Sequence, residues 1–146
     1  MNEPVNLSGN SVSRVWRDGP WIYKRQPKYL ADNEFYALAH PALLDYVPGD
    51  LERIDKEIIR MEFIKNEPVT DVILFMSHYW PVLEDFEAAG LRHGDLTEYS
   101  VLVQNNSPVI IDWAESRTWD DPRPDKRRRG DAYWLKKTMR KLCTTG

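Results

Sequence analysis

Cysteine is almost absent: Cys143 is the only one in 146 residues. No internal disulfide can form, so stability has to come from packing. Histidine is nearly as scarce, and His40, His78 and His93 lack the close spacings of a metal-ligand set. No apolar run approaches the length needed to cross a bilayer. The opening MNEPVNLSGN has neither the basic start nor the apolar stretch of a secretory signal. A cytoplasmic protein without a membrane partner is the expectation, and the Asn-x-Ser triplets at Asn6 and Asn105 are then chance matches. Internal repeats and low-complexity blocks are also missing.

What remains suits a folded domain. Hydrophobic residues make up 42% of the chain, with 7 glycines and 10 prolines, which excludes a disordered or fibrous class. The length fits a single domain over residues 1–146, large enough for a true core. Charge is unevenly spread. Residues 1–122 hold 11 Lys+Arg against 21 Asp+Glu, a net of −10, and residues 123–146 hold 9 against 2, a net of +7, which sums to the chain's −3. The basic residues within 123–141 can attract an anionic partner such as nucleic acid; the plainer alternative is a solvated helix face offsetting an acidic body.

Along the chain, Leu7-Ser8-Gly9-Asn10-Ser11 is small and polar, able to bring backbone N–H groups close to an anion. Val12–Arg17 and Trp21–Arg25 are β-prone and joined by Asp18-Gly19-Pro20, a hairpin signal. Alternation puts Lys24 on one face with Ile22. A helix is expected over Tyr29–His40, stopped by Pro41, in which Leu30, Glu34 and Leu38 form one stripe. A carboxylate on such a stripe needs a partner, and Lys24 is the nearest candidate in sequence. Leu43–Glu57 reads as irregular, Ile58–Ile64 as a buried strand and Lys65-Asn66-Glu67-Pro68 as a linker. Thr70 or Asp71 can cap a helix with Val72, Phe75, Met76 and Tyr79 on one side; Pro81 breaks it or opens a second, with Val82, Leu83 and Phe86 inward, closed by Gly90. A last helix is expected over Asp131–Leu142.

The densest chemistry lies in LRHGDLTEYSVLVQNNSPVIID, residues 91–112. Val101–Val103 and Val109–Ile111 are short apolar runs around Asn105-Asn106-Ser107-Pro108, a hairpin with a turn-forming loop. A hairpin brings its outer ends together, so Asp95 and Asp112 become neighbours. Two acids there can divide labour, one orienting a hydroxyl and the other holding a divalent cation.

His93-Gly94-Asp95-Leu96-Thr97-Glu98-Tyr99-Ser100 resembles the catalytic loop of the protein-kinase-like superfamily. HGDLTEYSVLV followed by PVIID is most similar to RIO-type atypical kinases, and Ile110-Ile111-Asp112-Trp113 also resembles aminoglycoside and choline phosphotransferases. The resemblance runs over nearly the whole chain in the right order. It implies an α+β, two-lobed fold: a small β-rich lobe over about residues 1–64, a hinge over about 62–68 and a reduced, mainly helical lobe over about 69–146. The implied cofactors are ATP and Mg²⁺. Ser8, Gly9, Asn10 and Ser11 would cover phosphates, Lys24 would grip them, and Glu34 would hold Lys24 in place. Glu62, Phe63 and Ile64 would meet adenine, Asp95 would take the acceptor's hydroxyl proton and Asp112 would bind Mg²⁺. Asp131 matches the acid that hydrogen-bonds the catalytic loop from beneath; read from residues alone it is equally an ordinary helix N-cap.

Three departures stand out. Ser100 occupies the place of the family's metal-binding asparagine, so its shorter, neutral oxygen would have to serve there. Gly94 replaces the usual arginine before the aspartate, which removes the clamp for a phosphorylated activation loop. Only 18 residues separate Asp112 from Asp131, too few for a long activation segment. The implied activity is transfer of a phosphoryl group from ATP to a hydroxyl of a protein or small-molecule acceptor, as a serine/threonine kinase. The alternatives are a RIO-like ATPase or nucleotide-gated binding module, or a pseudokinase. On the sequence alone, Ser100→Asn is expected to raise turnover at low Mg²⁺.

Overall fold

The chain first reverses at Gly19, whose φ of 59° lies in the left-handed region that glycine enters without strain. The reversal joins β1 (Arg14–Asp18) to β2 (Trp21–Arg25). Trp16 and Tyr23 face each other across this pair and stack with ring centroids 5.5 Å apart. The structure, a computed structural model, describes residues 13–123 and 130–144. The expected phosphate-covering residues Ser8, Gly9, Asn10 and Ser11, and most of the basic run, lie outside the described residues.

Only Gln26 and Pro27 separate β2 from α1 (Lys28–Leu38), which buries Leu30, Ala31, Glu34, Ala37 and Leu38. The helix ends before the expected His40, because the residue preceding a proline is pushed out of the helical region. His40 is extended (φ −71°, ψ 126°) and its Nδ1 accepts from the Ala42 N–H, capping a 3-10 helix over Pro41–Tyr46. Part of the stretch expected to be irregular is therefore ordered, and it goes on to give β3 (Glu52–Arg53). With β4 (Ile58–Glu62) the strands form an antiparallel sheet in the order β1-β2-β4-β3.

The expected linker runs beside a later hairpin. Glu67 N–H donates to the Val103 carbonyl at 2.9 Å, and Val103 N–H donates to Asn66 Oδ1 at 2.9 Å. Asp71 then caps α2 (Val72–Tyr79) through the Leu74 N–H. Phe75 and Tyr79 of α2 are fully buried, but Val72 is 39% exposed, so the inward stripe is narrower than expected. α3 (Val82–Ala89) follows directly from Pro81 and stops at Gly90, φ 69°. β5 (Leu91–Arg92) pairs with β8 (Arg117–Thr118).

The hairpin of β6 (Val101–Gln104) and β7 (Ser107–Ile110) turns on Asn105 and Asn106, at φ 52° and 58°. Two consecutive left-handed asparagines are the chemistry of a two-residue hairpin turn. Ser107 and Pro108 are thus strand residues rather than loop. Pro108 sits opposite Val103, whose backbone groups both go to residues 66–67, so the missing proline N–H costs no ladder bond. α4 (Gly130–Thr144) closes the chain. One apolar cluster runs from Leu38, Leu43 and Ile59 through Phe75, Tyr79 and Phe86 to Leu96, Val101, Trp113 and Leu135. The fold is α+β, a sheet-rich N-terminal part on a mainly helical C-terminal part.

Candidate functional site

A cavity of about 630 Å³ lies between the sheet and the β6–β7 hairpin. Val15, Ile22 and Met61 line it from the sheet, Leu102 and Ile111 from the hairpin region, and Glu62, Phe63 and Ile64 along one edge. Lys24, Glu34, Asp95 and Asp112 all border the same space. Residues 88 positions apart in sequence therefore meet: Lys24 Nζ is 3.3 Å from Asp112 Oδ1.

The Lys24–Glu34 pair is almost dry. Lys24 is 7% exposed and Glu34 1%, with 2.9 Å between Nζ and Oε1. Burial alone would push the ammonium's pKa down, but Glu34 and Asp112 outweigh it and hold it above the ordinary lysine range. Burial likewise opposes ionisation of Glu34; the charge of Lys24 and donors from Lys24, Gln26 and Trp113 bring its pKa below the usual carboxylate value. Gln26 Nε2 donates to Oε1 at 2.8 Å and the Trp113 N–H to Oε2 at 2.8 Å. One carboxylate thus joins β2, α1 and the residue following Asp112. Asn33 reinforces that junction by donating to the Ala114 carbonyl at 3.1 Å.

A depressed carboxylate stabilises the fold above its unfolded pKa, and that stabilisation is lost as pH falls through the folded value. For Glu34 the reference value is 4.5. The gap in urea midpoint between the wild type and Glu34→Gln should be full above this pH and shrink as the solution is acidified below it. A gap that stayed constant or widened in acid would be inconsistent with an ionised Glu34.

Asp112 has φ 62° and ψ 55°, a left-handed conformation that aspartate tolerates better than most residues. It begins the 3-10 turn Trp113–Glu115. Trp113 is fully buried, its indole tilted against His93 at 4.6 Å and edge-on to Phe86 at 5.1 Å. His93 is fully buried as well. Its Nδ1 accepts from the Asp95 N–H at 3.1 Å, so Nε2 carries the proton and donates to the Ile111 carbonyl at 2.8 Å. A neutral imidazole in one tautomer therefore ties the Asp95 loop to the residue before Asp112. From beneath, the Asp131 carboxylate accepts from the His93 N–H at 2.7 Å and the Gly94 N–H at 3.0 Å. That is the supporting contact the resemblance implied, made from the first turn of α4.

Ser100 is only 2% exposed, and its hydroxyl donates to the Asp95 carbonyl at 2.7 Å. It is not among the cavity's lining residues. On its short arm the hydroxyl reaches its own loop instead. Glu62 also turns aside: its carboxylate accepts from the Gly49 N–H at 3.0 Å, which leaves its backbone on the cavity edge. The Phe63 ring carries the Arg17 guanidinium at 3.7 Å. Sequence reasoning missed Gln26 and the Trp113 N–H. The alternation that pairs Lys24 with Ile22 also puts Gln26 on their face, and this was the available signal.

Magnesium is bound through one or two carboxylates together with substrate phosphates and water. Asp112, on the cavity wall, fits that donor set. Among the described residues no three acidic, histidine or cysteine side chains form a complete protein cage, so phosphate oxygens would have to complete the shell. No described helix is long and apolar enough to cross a membrane.

Comparison with known proteins places this geometry. A family model described as the RIO domain matches residues 23–144. The RIO-type serine/threonine-protein kinase Rio2 of Methanocaldococcus jannaschii is 32% identical over 82 residues, covering 53% of this chain and 27% of its own length. Among solved structures, the Rio2 kinase–ADP/Mg²⁺–phosphoaspartate complex from Chaetomium thermophilum aligns with a TM-score of 0.58 and 16% identity. That alignment covers 91% of this chain and 51% of the Rio2 chain, and it establishes a shared fold. The chain thus spans about a quarter of one relative and half of the other. With the family model covering most of its length, the chain belongs to the RIO family of atypical protein-kinase-like proteins.

Proposed function

We propose that this chain binds ATP with Mg²⁺ and transfers a phosphoryl group to a hydroxyl, as an atypical serine/threonine kinase. The observation that carries this reading is the convergence of Lys24, Glu34, Asp95 and Asp112 on one largely apolar cavity. Val15, Ile22, Met61, Leu102 and Ile111 would sandwich the adenine. The Ile64 N–H makes no bond to another backbone group among the described residues, which suits it to a base nitrogen. In this reading residues about 1–64 act as the upper lobe, 62–68 as the hinge and 69–146 as the lower lobe.

Lys24, held by Glu34, would offset phosphate charge. Asp112 would hold Mg²⁺, which supplies further neutralisation of that charge, and Ser100 would reach it only through a water. Asp95 would orient the acceptor hydroxyl and take its proton. Exposed Lys136, Lys137 and Arg140 on α4, with the basic run before them, would recruit an anionic partner.

Ser100 also favours a second reading, an ATPase or nucleotide-gated module, since its hydroxyl is committed to the Asp95 carbonyl. The Chaetomium thermophilum Rio2 complex carries a phosphoaspartate. Hydrolysis through an aspartyl phosphate is therefore worth separating from kinase activity. Incubation with γ-labelled ATP and Mg²⁺ does this. Label stable on an acceptor or on the protein supports transfer, free phosphate with a hydroxylamine-sensitive label supports the ATPase, and no ATP binding at all would reject both.

Burial revises the expectation for Ser100→Asn. Two extra heavy atoms at a 2% exposed position overpack a site that already satisfies its hydroxyl, at a cost of roughly 1–3 kcal/mol. The expected result is a lower melting temperature without a gain in turnover at low Mg²⁺. Higher turnover at unchanged stability would show that the loop opens to bring asparagine to the metal.

A further inference from the structure

Gln26 follows Lys24 by two positions and points to the same side of the chain, where both meet Glu34. Its side chain is 2% exposed, and its backbone N–H is fixed to the Glu57 carbonyl at 2.9 Å. Its Nε2 and the Lys24 ammonium share a single oxygen, Glu34 Oε1, at 2.8 and 2.9 Å. The other carboxylate oxygen takes the Trp113 N–H at 2.8 Å. Only the nitrogen of an amide can donate to a carboxylate, so this bond fixes the amide's orientation. The orientation is costly, because Gln26 Oε1 is buried with no hydrogen-bond partner among the described residues. A methionine would fill similar volume without an orphaned carbonyl. The orphaned carbonyl offsets much of what the amide's bond to the Glu34 carboxylate contributes, so net stability is a weak reason for glutamine here.

We propose that Gln26 is a positioning residue of the site: its amide holds the Glu34 carboxylate so that Lys24 can reach Glu34 and Asp112 together. Without that second donor, Oε1 is free to swing about the Trp113 bond into the position that suits Lys24 alone. Lys24 would then settle on Glu34 and leave Asp112, whose contact is already the longer at 3.3 Å. The ammonium's place in the cavity would shift with it. This role rests on the phosphotransfer reading for its consequence in turnover, while the Gln26–Glu34 contact is testable in the ligand-free protein.

Two variants decide it. Gln26→Met removes the donor and the orphaned carbonyl together. The expected result is an unchanged or higher melting temperature with turnover lowered about 10- to 100-fold, as misplacement of a fixed charge produces. Gln26→Glu keeps the shape. Its protonated carboxyl can donate to Glu34 as the amide does, whereas its ionised form stands directly against Glu34, with Lys24 beside that contact and Asp112 beyond. Relative to wild type, the ligand-free Gln26→Glu protein should therefore lose melting temperature as pH rises from about 5 to about 8, and its turnover should recover towards the acid end. Wild-type turnover in Gln26→Met, or a pH-independent melting gap in Gln26→Glu, would overturn the proposal. So would failure of both variants to fold at every pH, which would make the amide simply structural. If wild-type protein binds no ATP, the phosphotransfer reading falls, and the ligand-free pH dependence still decides the role of Gln26.

Discussion

Replacing Asp95 by asparagine should leave ATP affinity close to wild type and reduce phosphoryl transfer by about 10²–10⁴-fold, the range supplied by a positioned acid–base group. Replacing Asp112 by asparagine should do the reverse in order: Mg²⁺-dependent ATP affinity falls first, by about tenfold or more, or about 1.4 kcal/mol, and transfer falls with it. Local structure preserves the backbone in both variants. Asparagine accepts the left-handed backbone of Asp112 (φ 62°) as readily as aspartate, so the change removes charge without adding strain. Asp95 is held through its backbone, by its N–H to His93 Nδ1 and its carbonyl to the Ser100 hydroxyl, and both bonds survive a side-chain change. Calorimetric titration of ATP at several Mg²⁺ concentrations, alongside single-turnover transfer, separates the two. Equal losses of affinity from both substitutions would dissolve the division of labour between the two acids.

The sequence was legible where a residue's partner lies at a fixed offset along the chain. The hairpins at Gly19 and at Asn105–Asn106, the cap at Asp71 and the stop at Gly90 all follow from local chemistry. The loop from His93 to Ser100 was legible for another reason: its residue types and spacing belong to a family, and the family assignment held. What escaped was set by distant neighbours. Ser107 and Pro108 join a strand because Val103 turns its backbone groups to the 66–67 segment. The 3-10 helix Pro41–Tyr46 is organised by the His40 ring and by packing of Leu43 into the core. The indole of Trp113 and the ring of His93 pack together, yet nothing in the spacing of the two residues announces it.

The Lys24–Glu34 pair should behave as one unit. In Lys24→Ala the carboxylate keeps two donors, Gln26 Nε2 and the Trp113 N–H, so it stays hydrogen-bonded but loses its counter-charge in a dry site. In Glu34→Ala the ammonium keeps Asp112, while Gln26 and Trp113 lose an acceptor. Removing one partner of a buried ion pair typically costs about 3–5 kcal/mol, because the remaining charge is left uncompensated. Each single change is therefore expected to cost about that much stability and to abolish measurable ATP binding. The double change removes both charges, so its loss should fall well short of the sum, with a coupling of roughly 1–3 kcal/mol. Urea unfolding of the four proteins measures that coupling without any ligand, and ATP titration measures its consequence. If stability losses simply add, Lys24 and Glu34 are independent residues that happen to lie 2.9 Å apart, and the ammonium owes its place to Asp112 instead.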